Sequence, residues 1–72
     1  MKIKVGDVVK VINPKAFFYK VMGEVANIID DEIYVEFKAI DIETEEVFVY
    51  EDCVYLEEEL EFTIIYKINY SF

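Results

Sequence analysis

Three carboxylates stand at alternate positions in Asp41-x-Glu43-x-Glu45, and alternating oxygen donors are what a calcium loop supplies. The run lacks the mid-loop glycine and the closing bidentate glutamate of an EF-hand, so it reads as a solvated loop and no metal is assigned to it. Without His and with Cys53 as its one cysteine, the chain cannot assemble a structural zinc site by itself. Nucleophilic catalysis lacks its parts as well. There is no His or Arg, the aliphatic hydroxyls are Thr44, Thr63 and Ser71, and Cys53 has no neighbouring cation to favour a thiolate. Cys53 therefore reads as a structural thiol. The many acids could pair as in glycoside hydrolysis, but a domain this short predicts no cleft to hold a sugar. The expectation is a non-enzymatic protein with no cofactor.

The acids carry their information in their placement. Fourteen of sixteen fall between Asp30 and Glu61, a stretch holding one basic residue, Lys38. Residues 1–29 sum to +3, residues 30–61 to −13 and residues 62–72 to +1. A field of one sign repels nucleic acid and anionic membrane and attracts basic surfaces. Direct nucleic-acid binding would have to use Lys2, Lys4, Lys10, Lys15 and Lys20 beside the loop aromatics. Those lysines face the −13 segment across a domain only a few Debye lengths of about 8 Å wide. Neither nucleic acid nor membrane is expected as a partner.

The elements that must position these acids are strands. Seventy-two residues make one small domain. An apolar share of 56%, with six Phe and six Tyr, predicts a packed core. A single cysteine points to a reducing, cytoplasmic setting. Period-2 alternation and β-branched or aromatic runs recur throughout, which predicts an all-β chain. Val8 to Ile12 is a first strand stopped by Asn13-Pro14. Residues 13–22 form a loop carrying Phe17, Phe18 and Tyr19, expected to fold over one end of the core with at least one ring left for a partner. Gly23 to Ile29 and Glu32 to Lys38 form a hairpin about the Asp30-Asp31 corner. Residues 39–45 connect to a fourth strand, Glu46 to Tyr50, whose two apolar faces predict little solvent contact. A turn at Glu51-Asp52 precedes a short fifth strand, Val54 to Leu56, and the exposed Glu57, Glu58 and Glu59. From Leu60 to Phe72 every even position is apolar. Such a strand spans roughly 40 Å at about 3.3 Å per residue, more than the roughly 30 Å width of the domain. The tail is expected to wrap its own barrel or pair with a partner subunit, with a homodimer through this strand as one form.

The run KVGDVVKVI, the long aromatic loop, Gly23-Glu24-Val25 opening a strand, the acidic corner and a short strand after Glu51-Asp52 together resemble small SH3-like barrels. The aromatic loop leading into a Gly-x-Val strand is similar to the photosystem I reaction-centre subunit IV group and, more distantly, to KOW domains. The resemblance spans residues 3–58 and implies a five-stranded SH3-like barrel over 1–58, with residues 59–72 as an additional C-terminal strand. It implies ferredoxin docking or RNA and ribosomal-protein contact, both of which need a basic cluster that the chain lacks after Asp30.

Two readings of the acidic segment remain. In one, Asp30, Asp31, Glu32 and Glu36, then Asp41, Glu43, Glu45 and Glu46, then Glu57, Glu58, Glu59 and Glu61 form a solvated face that keeps an apolar-rich protein in solution. In the other they imitate nucleic-acid phosphates and, with Phe17, Phe18 and Tyr19, occupy a basic surface on a nucleic-acid-handling complex. Size and charge are then similar to small acidic inhibitors from phages and mobile elements, including anti-CRISPR proteins. The expectation is a non-catalytic protein-binding module of this second kind. The alternative is a structural or assembly subunit that uses the C-terminal strand.

Overall fold

The structure is a computed structural model and describes residues 3–62. Among the described residues five strands follow in order: β1 (Val8–Val11), β2 (Met22–Ile29), β3 (Glu32–Ile40), β4 (Val47–Tyr55) and β5 (Leu60–Phe62). They form one antiparallel sheet in the order β4-β3-β2-β1-β5. Among the described residues there is no α-helix, and the sheet is open, with β4 and β5 as its edges. One turn of 3₁₀ helix, Glu57–Glu59, links β4 to β5.

One face of the curled sheet holds the core. Val9 and Val11 on β1, Val25 on β2, Ile33, Val35 and Phe37 on β3, Tyr55 on β4 and Leu60 on β5 are all buried, and Ile3 joins them from the N-terminal segment. Alternate positions of a pleated strand share a face, so the spacing of Ile33, Val35 and Phe37 dictates this side. Two β-bulges flank Val35. On β2 an extra residue lies between the pairs Val25↔Val35 and Asn27↔Tyr34. On β4 another lies between Cys53↔Val35 and Tyr50↔Phe37. Bulges on both neighbours at one level sharpen the twist there and bend the sheet over its core.

Several expectations are corrected. Glu51-Asp52 is the β4 bulge, not a turn, because the chain continues to pair with β3 through Tyr55. Val54 to Leu56 is therefore no separate strand. Its predicted place is taken by Leu60–Phe62, which pairs with β1 through Val11↔Leu60 and Val9↔Phe62. β3 runs on through Ala39 and Ile40, so the following loop is 41–46. The fourth strand, expected to be shielded, is a sheet edge whose Val47, Phe48, Val49 and Tyr50 are all exposed. Of the expected tail strand, residues 63–72 lie outside the described residues.

Candidate protein-binding surface

Chain geometry brings two acidic runs together. Ile29 pairs with Glu32, so Asp30-Asp31 is a two-residue corner, and Asp30 holds a left-handed φ of 54° that Asp tolerates better than most side chains. The pair Ile33↔Tyr55 sets the start of β3 beside the end of β4, from which the 3₁₀ turn departs. Asp31, Leu56, Glu57 and Glu58 consequently line one shallow hollow of about 290 Å³. Residues 25 or more positions apart in sequence thus share a surface. Asp30, Asp31, Glu32, Glu57 and Glu58 are exposed, and none of them forms an ion pair or side-chain hydrogen bond among the described residues.

Glu59 behaves differently from the acids around it. Its Oε1 accepts from the Leu56 N–H at 2.9 Å and its Oε2 from Asn13 Nδ2 at 2.8 Å. Its carbonyl accepts from the Ile12 N–H at 2.8 Å. These bonds lock the 3₁₀ turn onto the chain after β1. The Leu56 N–H and then the Asn13 amide hold the Glu59 carboxyl below its ordinary pKa, against the opposing effect of burial. Glu59 is half-buried, with both carboxylate oxygens engaged within the chain, unlike the other acids expected to face a partner. Tyr55, in the core beneath, has its phenol pKa pushed up by burial first, with Cys53 and Glu59 adding to it.

A second group occupies the β3–β4 loop. Asp41 Oδ1 accepts from the Glu43 and Thr44 N–H groups at 2.9 and 3.2 Å. The Glu45 N–H bonds the Asp41 carbonyl at 2.8 Å with Glu45 at a φ of 62°. Asp41 is thereby occupied in shaping the loop, whereas Glu43, Glu45 and Glu46 project into solvent. β3 is nine residues long, so this group lies roughly 26 Å from the corner at about 3.3 Å per residue. Between the two, Glu36 approaches Lys38 at 3.8 Å and shares with Glu51, Asn27 and Tyr34 a depression of about 380 Å³ beside the bulges. Glu61 on β5 stands opposite Lys10 in register.

The three ring residues separate. Phe18 stacks on Phe37 with centroids 4.3 Å apart and meets Tyr50 at 5.4 Å. It closes one end of the core. Phe17 packs edge-on against Phe18 yet is 93% exposed. Tyr19 is exposed, with Lys20 Nζ 5.4 Å from its ring centroid. Cys53 is half-buried against the core, with Sγ 3.8 Å from the Glu51 carbonyl. What sequence reasoning misses is the apolar surface of the β3–β4 hairpin, because an apolar run on both faces is equally the pattern of a buried strand.

No protein-family model, curated protein or solved structure matches this chain. Among the described residues no helix is long and apolar enough to cross a membrane.

Proposed function

We propose that this chain is a non-catalytic SH3-like module that binds the basic surface of another protein through its carboxylates. The barrel reading is supported by the five antiparallel strands among the described residues, with a long aromatic loop between β1 and β2 and a 3₁₀ turn before β5. The functional reading rests on one observation: Asp31 of the corner lines a common hollow with Glu57 and Glu58, and none of the three has an ion-pair partner among the described residues. Uncompensated like charges held together cost folding free energy through repulsion, and a basic partner would relieve that cost. Such a surface steers encounter and makes binding salt-sensitive. A nucleic-acid-handling complex in the cytoplasm is the partner class whose basic groove suits it, and occupying that groove would inhibit the complex.

The test is titration with octalysine at 50 and 500 mM salt, comparing two variants of equal net charge. One carries D30K, D31K and E32K; the other carries E43K, E45K and E46K. A loss of binding at least tenfold larger for the corner variant, erased at high salt, supports a built acidic site. Equal losses would show that bulk charge alone attracts the probe and that the acids serve solubility.

A further inference from the structure

Every residue from Lys38 to Glu51 is exposed. The outer half of the β3–β4 hairpin is an arm that leaves Ile40, Ile42, Val47, Phe48, Val49 and Tyr50 exposed, with Tyr50 at its base meeting Phe18. Ile42 is 92% and Val47 58% exposed. A bare two-stranded ribbon is marginal in water by itself, and here apolar side chains are exposed on both of its faces, Ile40, Val47 and Val49 on one and Phe48 and Tyr50 on the other.

The hydrogen-bond phase says which backbone groups the arm offers. The Asp41 N–H donates to the Glu46 carbonyl at 2.9 Å, so Asp41 and Glu46 form a bonded pair. Bonded and non-bonded pairs alternate along an antiparallel ladder. Ala39↔Phe48 and Phe37↔Tyr50 are then bonded, and Ile40↔Val47 and Lys38↔Val49 are not. The N–H and C=O groups of Val47 and Val49 consequently point away from β3. With β4 at the sheet edge, they face outward. This is a short template for one more strand.

Charge selects the occupant. The template is bracketed by Glu45 and Glu46 on one side and Glu51 and Asp52 on the other, in a protein of net charge −9. A second copy docking antiparallel with its Val47 opposite Val49 would place its Glu46 against Tyr50 and its Glu45 against Glu51, the latter like charge on like. A strand with an apolar centre and basic flanks meets complementary groups at both ends. We infer that β4 accepts, by strand addition, an extended segment of a partner protein with alternating apolar residues flanked by Lys or Arg. The inference rests on the acidic-module reading above and supplies the form in which the partner binds.

The experiment uses the full chain and two peptides of identical charge. One is Lys-Lys-Val-Thr-Val-Thr-Val-Lys-Lys; the other has proline in place of the central valine. Binding is measured by calorimetry, and amide hydrogen exchange is followed at Val47 and Val49. The expected result is at least tenfold tighter binding of the alternating peptide and slowed exchange at both amides. V49P should abolish that preference, since it removes an outward N–H without touching the bonds to β3. If V49P fails to fold, the exchange data decide alone. Equal binding of the two peptides overturns strand addition and leaves the acidic reading standing, whereas binding of neither overturns both. Slow exchange at Val47 and Val49 without peptide also overturns the inference. In that case a monomer would mean residues 63–72 occupy the edge, and a concentration-dependent dimer would mean a second copy does.

Discussion

Gly23 tests the packing that curls the sheet. A Cβ at this position would sit 2.6 Å from Val35 Cγ1, 2.8 Å from the Glu36 carbonyl oxygen and 2.8 Å from Phe37 Cδ1. Neither side chain has room to retreat, because Val35 is 1% and Phe37 2% exposed. The carbonyl can move only with the strand. Overpacking of this kind costs about 1–3 kcal/mol, and three close contacts place G23A near the upper end. Replacing glycine inside a strand recovers about 0.5–1 kcal/mol of chain entropy, so a net loss of about 2 kcal/mol is expected. A chain of this length has roughly 4–11 kcal/mol of stability in total. The expected fall in Tm is about 8–16 °C. G6A provides the comparison, since Gly6 has a φ of +94° with nothing within 4 Å of its virtual Cβ. Its cost is conformational alone, about 1 kcal/mol. Urea unfolding followed by tyrosine fluorescence measures both. A G23A midpoint at or above that of the parent protein, or a larger loss in G6A than in G23A, would refute the β2–β3 packing.

Phe18 and Phe17 should part company. F18A removes a ring stacked on Phe37 and is expected to cost about 2 kcal/mol, less than a fully buried phenylalanine, whereas F17A should stay within about 0.5 kcal/mol; equal losses in urea would show that the loop packs otherwise. Glu59 has its folded pKa depressed, so its contribution is present above the unfolded carboxyl value and fades as pH falls through the folded one. E59Q is accordingly expected to be less stable than the parent by about 0.5–1 kcal/mol at pH 7, a figure reduced by solvent screening. The gap should narrow below about pH 4, and a gap unchanged between pH 7 and pH 3 would rule out the charged hydrogen bonds as its source.

Strand content, the aromatic loop and the Asp30-Asp31 corner were legible because each depends on a local rule. Alternation gives the buried set Ile33, Val35 and Phe37 directly. β1 ends before Asn13-Pro14 because proline lacks an N–H. The β4 bulge was half legible. Between Tyr50 and Cys53 the inward phase changes from even to odd positions across two acids, and a turn and a bulge produce the same change. Only partner bonds tell them apart, and those bonds belong to β3. Reading the change as a turn makes Val54 to Leu56 a separate strand, whereas the chain stays paired with β3 through Tyr55.

The sequence by itself determined that the chain is built of strands, that its charge is concentrated after residue 30, and that familiar nucleophile-base pairs and zinc ligand sets are missing. These follow from residue type and short-range spacing. The tertiary structure alone decided that Asp31 shares a hollow with Glu57 and Glu58, that the Glu59 carboxylate bonds back to Leu56 and Asn13, and that among the described residues Val47 to Tyr50 is an exposed edge. Apolar side chains on both faces of a strand are compatible with a shielded centre or with an uncovered rim. Which of the two holds is fixed by the order of strands in the sheet, a property no segment of the chain carries alone.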